Sequence, residues 1–90
     1  MEPIEKQLLG NVFDALDRLF DSECGVIDVH AILYASEMAL KTSSLPIELT
    51  KYETELRKII QSGEGSHAQR DKALDATNDL REKLNELLPI

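Results

Sequence analysis

Apolar residues recur along this chain with the period of a helix, in four runs separated by short polar or glycine-containing breaks. From Pro3 to Phe20, at about 100° per residue, Ile4, Leu8, Leu9, Val12, Phe13, Leu16, Leu19 and Phe20 fall within one half of the wheel. That half is a predicted core face. Pro3 suits a first-turn position, where its missing N–H removes nothing from the helix, and Glu23 and Gly25 fall in the turn that follows.

The second helix is expected over about Asp28 to Thr42, with Asp28 as N-cap, because its carboxylate can accept from free first-turn amides. Val29, Ala31, Ile32, Leu33, Ala35, Met38, Ala39 and Leu40 occupy most of its circumference, the pattern of an element packed on several sides. One narrow edge stays polar: His30, Tyr34, Glu37 and Lys41, spaced i, i+4, i+7 and i+11.

Thr42 to Leu45 reads as a short loop, and Pro46 as the start of a third helix that ends near Gln61 with Leu49, Tyr52, Leu56, Ile59 and Ile60 turned inward. Ser62-Gly63-Glu64-Gly65 is the strongest helix breaker in the chain. Ser66 followed by Gln69 matches a capping box and opens a fourth helix, about His67 to Leu88, stopped by Pro89. Its seam is Ala73, Thr77, Leu80, Leu84 and Leu87, in alternating steps of four and three.

Helices joined by short loops imply antiparallel neighbours, so the predicted fold is all-α, an antiparallel up-down four-helix bundle forming a single domain over residues 1–90. An alternative is an open three-helix core whose fourth helix packs across a second copy, making a homodimer. Composition narrows the picture. With two Phe, two Tyr and no Trp, the core must be aliphatic. No stretch reaches the roughly 18 apolar residues needed to cross a bilayer, so no membrane association is expected. Cys24 has no cysteine to pair with, and the opening MEPIEKQLL has neither a basic n-region nor a secretory apolar run, so the expected compartment is a reducing cytoplasm.

Charge changes the picture more. The net charge of −7 disfavours direct nucleic-acid binding, which rests on Lys and Arg neutralising phosphates. The acids are also concentrated. From Asp14 to Glu37 the chain carries six acids and one base, Arg18. Asp14, Asp17 and Asp21 form a stripe on the first helix, continued by Glu23 and Asp28. Asp21 sits where a carboxylate opposes the helix dipole, so it is not there to stabilise its own helix. A solvated face accounts for such a stripe; a docking surface for a basic partner is the functional alternative, since complementary charge speeds encounter and selects partners. Tyr34, on the adjoining edge, is the aromatic anchor candidate.

Catalytic signals are weak by comparison. One Cys and two His far apart in the chain do not make a metal site, and no cofactor motif is present. Gly63 and Gly65 match neither a P-loop nor a dinucleotide fingerprint. His30, Tyr34 and Glu37 share a helical edge and could in principle exchange protons, but a small aliphatic bundle leaves little volume for a pocket. No enzyme activity is expected.

Size, acidity and helical architecture, with the acidic helix-turn-helix LDRLFDSECGVIDVHAILY from Leu16 to Tyr34, resemble the small acidic immunity proteins of bacteria. Those proteins neutralise nuclease toxins of the colicin and contact-dependent inhibition kind. The resemblance implies a non-enzymatic inhibitor whose acidic side chains substitute for phosphates on a basic nuclease domain. It assigns partner recognition to Asp14, Asp17, Asp21, Glu23, Asp28, His30, Tyr34 and Glu37. The competing expectation is a self-associating structural module.

Overall fold

The computed structural model describes residues 2–42 and 47–88, and within them the chain is a four-helix bundle: α1 (Pro3–Phe20), α2 (Val26–Ala39), α3 (Leu49–Gln61) and α4 (Ser66–Leu87). Each helix packs on its neighbours in chain order, α4 closes the ring against α1, and α2 touches α4 across the diagonal. The polar contacts between α2 and α3 run in reverse order, His30 meeting Glu53 and Glu37 meeting Thr50.

α1 keeps its expected bounds and α3 its expected end, while the other helix ends shift by short steps. α1 closes with paired bonds from the Ser22 amide to the Leu19 carbonyl and from the Glu23 amide to the Arg18 carbonyl, at 3.1 and 2.7 Å. This is a Schellman-type stop that holds Ser22 in the left-handed region at φ 62°, a place glycine usually takes. α2 therefore begins at Val26 with Gly25 as N-cap, not at Asp28. Asp28 sits inside the first turn, and its carboxylate reaches back to the Gly25 amide at 2.9 Å. α2 ends at Ala39, short of Thr42, because the Leu40 backbone leaves helical geometry. α4 takes Gly65 as its cap, so Ser66 is its first residue, and the Gln69 side chain donates to the Glu64 carbonyl instead of closing a box on Ser66. α3 starts at Leu49. The expected start at Pro46, most of the 42–45 loop and the stop at Pro89 lie outside the described residues.

The core is aliphatic, as the composition demands. Leu9, Leu16 and Leu19 of α1, Leu33 of α2, Leu56 of α3, and Leu80 and Leu84 of α4 are fully buried and meet at the bundle axis. The α4 seam is internal to the chain, with Ala73, Thr77, Leu80 and Leu84 all buried; Thr77 returns its hydroxyl to the Ala73 carbonyl at 2.7 Å. Two core assignments on α1 fail. Ile4, in the first turn, is exposed, and Phe20 lies outside the core under the Arg81 guanidinium, 4.7 Å from the ring centre.

The larger correction concerns α2. Only Val26, Val29, Leu33 and Ser36 are buried along it. The expected packing on several sides is absent, because each helix of a four-helix ring meets its two neighbours through one face. Apart from Asp28 and the polar edge of His30 and Glu37, what remains of α2 is apolar or aromatic and open to solvent. Replacing Leu33 by Ala should cost about 2–5 kcal/mol in urea unfolding, the range for truncating a buried leucine, whereas Met38→Gln on the outer face should stay within about 0.5 kcal/mol. Equal losses at both positions would mean that α2 is not oriented as described.

The α3–α4 contact carries a buried phenol. Burial, and then the Asp79 carboxylate that accepts its proton at 2.8 Å, push the Tyr52 pKa up to about 12. Burial raises the Asp79 carboxyl as well, but the Tyr52 hydroxyl, the Leu80 amide and the nearby Lys51 and Lys83 outweigh it and hold the carboxyl below its ordinary value. A phenol that ionises later in the folded state than in the unfolded state stabilises the fold below its unfolded pKa and loses that contribution as pH rises through the folded one. Stability should therefore fall between pH 10 and about 12. Tyr52→Phe should flatten that fall in pH-resolved denaturation, and an unchanged slope would exonerate the phenol.

Candidate functional site

The eight acidic, histidine and tyrosine candidates of α1 and α2 do not share one surface. Asp17 points across to α4, where Arg81 meets its Oδ1 with two nitrogens, each at 2.7 Å. The same guanidinium covers Phe20, so Arg81 ties α4 to α1 by charge and by a cation–π contact. His30 faces α3. Its Nε2 donates at 3.0 Å to Oε2 of Glu53, a carboxylate only 5% exposed, which Arg57 approaches from the next turn at 3.5 Å. Glu37 accepts from the Thr50 hydroxyl at 3.2 Å, while its Oε2 is closed off from solvent with no partner among the described residues. Asp17, His30 and Glu37 thus join helices.

The outward set is Asp14, Asp21, Glu23, Asp28 and Tyr34, all exposed. Asp14 pairs with Arg18 one turn on, at 3.2 Å. Asp21 and Glu23 stand at the α1–α2 turn. Asp28 complements the positive end of the α2 dipole while it holds the Gly25 amide. Tyr34 stacks on His30 with ring centroids 6.2 Å apart and planes 20° from parallel. The His30–Glu53 bond therefore fixes the ring against which Tyr34 rests.

Three further features were not read from the sequence. Arg70 of α4 donates to the Leu19 and Phe20 carbonyls at 3.2 and 2.7 Å, capping the negative end of α1 with a cation from 50 residues away. Cys24 and His67 line one cleft of about 570 Å³ between the α1–α2 turn and the start of α4. The thiol is not activated there: burial pushes its pKa up, Asp28 and Glu23 add to the effect, and Arg18 only partly offsets it. The Cys24 Sγ donates to the Ala15 carbonyl at 3.6 Å, as a satisfied structural thiol does.

The third feature is the outer face of α2. Ile27 is 66% exposed, Tyr34 49% and Met38 47%; with Ala31 they form a stripe at i, i+4, i+7 and i+11. Ile32, Ala35 and Ala39 widen it on one side, and all three are exposed. Isolated surface leucines or isoleucines need no explanation, but a contiguous apolar helix face marks an interaction surface. Sequence held the signal. A helix with only a narrow polar edge has more apolar surface than one inward face can bury, and a four-helix ring encloses none of its members.

Among the described residues no group of three or more His, Cys, Asp or Glu is disposed to hold a metal ion, and no helix is long and apolar enough to cross a membrane. Comparison of the chain with protein-family models, with curated proteins and with solved structures finds no match.

The geometry separates structural acids from available ones. Asp17→Asn should lower stability by up to about 1 kcal/mol, the usual worth of a partly exposed ion pair, while Asp14→Asn and Asp21→Asn should each change it by less than about 0.5 kcal/mol. Chemical denaturation checks this ordering, and a neutral Asp17→Asn would return Asp17 to the outward set.

Proposed function

We propose that this protein is a non-enzymatic binding module that docks a basic protein partner on the α1–α2 corner. The observation that carries the reading is the exposed apolar face of α2, with Ile27, Tyr34 and Met38 uncovered, beside the acids Asp14, Asp21, Glu23 and Asp28. Apolar area supplies affinity when water is excluded from it, and the surrounding charge supplies encounter rate and partner choice. The net charge of −7 extends that preference over longer range. Asp17, His30 and Glu37 serve the same surface indirectly, by holding α1 and α2 in place.

A nuclease domain has a basic surface of the required kind, because it must neutralise phosphates. In its specific form the proposal is an immunity protein, cytoplasmic, that occupies such a domain and blocks it with carboxylates in place of the nucleic-acid backbone. Self-association is the second reading, and the same apolar face of α2 favours it.

Two measurements separate these readings. Light scattering of the isolated chain should give a monomer; a dimer that persists in high salt would favour self-association. A basic nuclease domain encoded beside this gene should bind in titration calorimetry and weaken with added salt. The triple change Asp14→Asn, Asp21→Asn, Glu23→Gln should lower the affinity by about tenfold or more. Affinity unchanged by the triple variant would defeat the charge-guided reading.

A further inference from the structure

We infer that the element of the partner that seats on α2 is an amphipathic α-helix carrying basic residues along one edge. This rests on the proposed docking of a basic protein and adds the shape of what docks. Ala31, Ala35 and Ala39 follow each other at i, i+4 and i+8 on the exposed face. On one side of this row stands the ridge of Ile27, Tyr34 and Met38; on the other stands Ile32. A row of small residues between ridges, inclined to the helix axis in this way, is the groove into which the i±4 ridge of a second helix packs, at roughly −50° to the first.

Beyond Ile32 the groove continues into the seam between α2 and α1, a cleft of about 400 Å³ where Leu8, Ala15, Ile32 and Ala35 form the apolar part and Asp14 stands at the α1 wall beside its ion-pair partner Arg18. A leucine or methionine of the incoming helix has room there. Among the described residues there is no strand whose edge an extended peptide could join, so strand addition is not a docking mode they offer.

Charge chooses the occupant and its direction. Asp28 lies at the first turn of α2 with Asp21 and Glu23 beside it in the preceding turn, whereas Lys41 follows the last turn. A partner helix is therefore expected to place its lysines or arginines toward the start of α2. A second copy of this chain would bring another net −7 and the same acids to the contact. An anionic lipid surface meets the same repulsion.

The probe is a fluorescein-labelled peptide of about 18 residues, long enough to hold a helix. It has leucines at i, i+3, i+4 and i+7, lysines on one flank and alanines elsewhere; an isomer of equal charge has two interior prolines. Fluorescence anisotropy against the whole chain should show binding of the helical peptide and, for the proline peptide, binding about tenfold weaker or less. Ala35→Gln, which fills the groove on an exposed helical position, should weaken the helical peptide by about tenfold. Ala68→Gln, on exposed α4, should leave it unchanged, with circular dichroism confirming that both variants fold.

Equal binding of the two peptides, or indifference to Ala35→Gln, overturns the inference. If the Asp14, Asp21 and Glu23 triple variant weakens both peptides alike while Ala35→Gln does nothing, the basic partner stands and the helix falls. If Ala35→Gln abolishes binding and the triple variant is silent, the helix stands and the charge-guided partner falls. A dimer of the free chain that Ala35→Gln dissociates makes a second copy the occupant and overturns the inference as well.

Discussion

A ring of four helices packs each member mainly on two neighbours, with α2 and α4 adding a slight contact across the diagonal, and so each buries one face of its circumference. For α1, α3 and α4 that geometry largely matches the sequence, because most of their apolar residues lie in one stripe, with Ile4 and Phe20 at the ends of α1 left outside the core. For α2 it does not. Val26, Val29 and Leu33 fill the inward face, and a second set of apolar residues has nowhere in the bundle to go. The proposed docking depends on that surplus.

The acids acquire different meanings once the helices are in place. In sequence they form one run from Asp14 to Glu37. In space they divide by what each side chain meets. Asp17 is committed to Arg81, His30 to Glu53 and Glu37 to Thr50. Each of these ties adjacent helices, and the partly exposed Asp17–Arg81 pair contributes modestly. Asp14, Asp21, Glu23 and Asp28 remain on the outside. The inward and outward acids cooperate: the orientation of the α2 outer face, and of Tyr34 on it, follows from the contacts that hold α2 to α3.

Much of the architecture was legible in the chain, and the parts that were not share a cause. The stripes of α1, α3 and α4 could be read because polar residues on their other sides supply contrast; the α4 seam at Ala73, Thr77, Leu80 and Leu84 is buried as the spacing indicates. α2 offers little contrast, so the wheel could not say which part of its surface faces the core. Cap positions shifted because an aspartate satisfies first-turn amides from the cap or from within the turn, and the sequence does not distinguish the two. Long-range partners were invisible. Nothing local to Asp17 points to Arg81, 64 residues later, and nothing local to the end of α1 announces that Arg70 will cap its carbonyls.

Exposed apolar area and strong net charge are complementary features of one surface. An uncovered stripe such as Ile27, Ala31, Tyr34 and Met38 invites contact with any apolar surface, including that of another copy. The net charge of −7 acts against that contact, since like-charged molecules resist close approach. In the proposed docking, the same charge favours a basic partner. Selectivity then arises from a penalty for the wrong neighbour as much as from attraction to the right one. Concentrating the exposed acids on α1, the turn and the first turn of α2 puts this selection at the edge of the apolar face, where a partner's charge is sensed before its apolar side chains are desolvated.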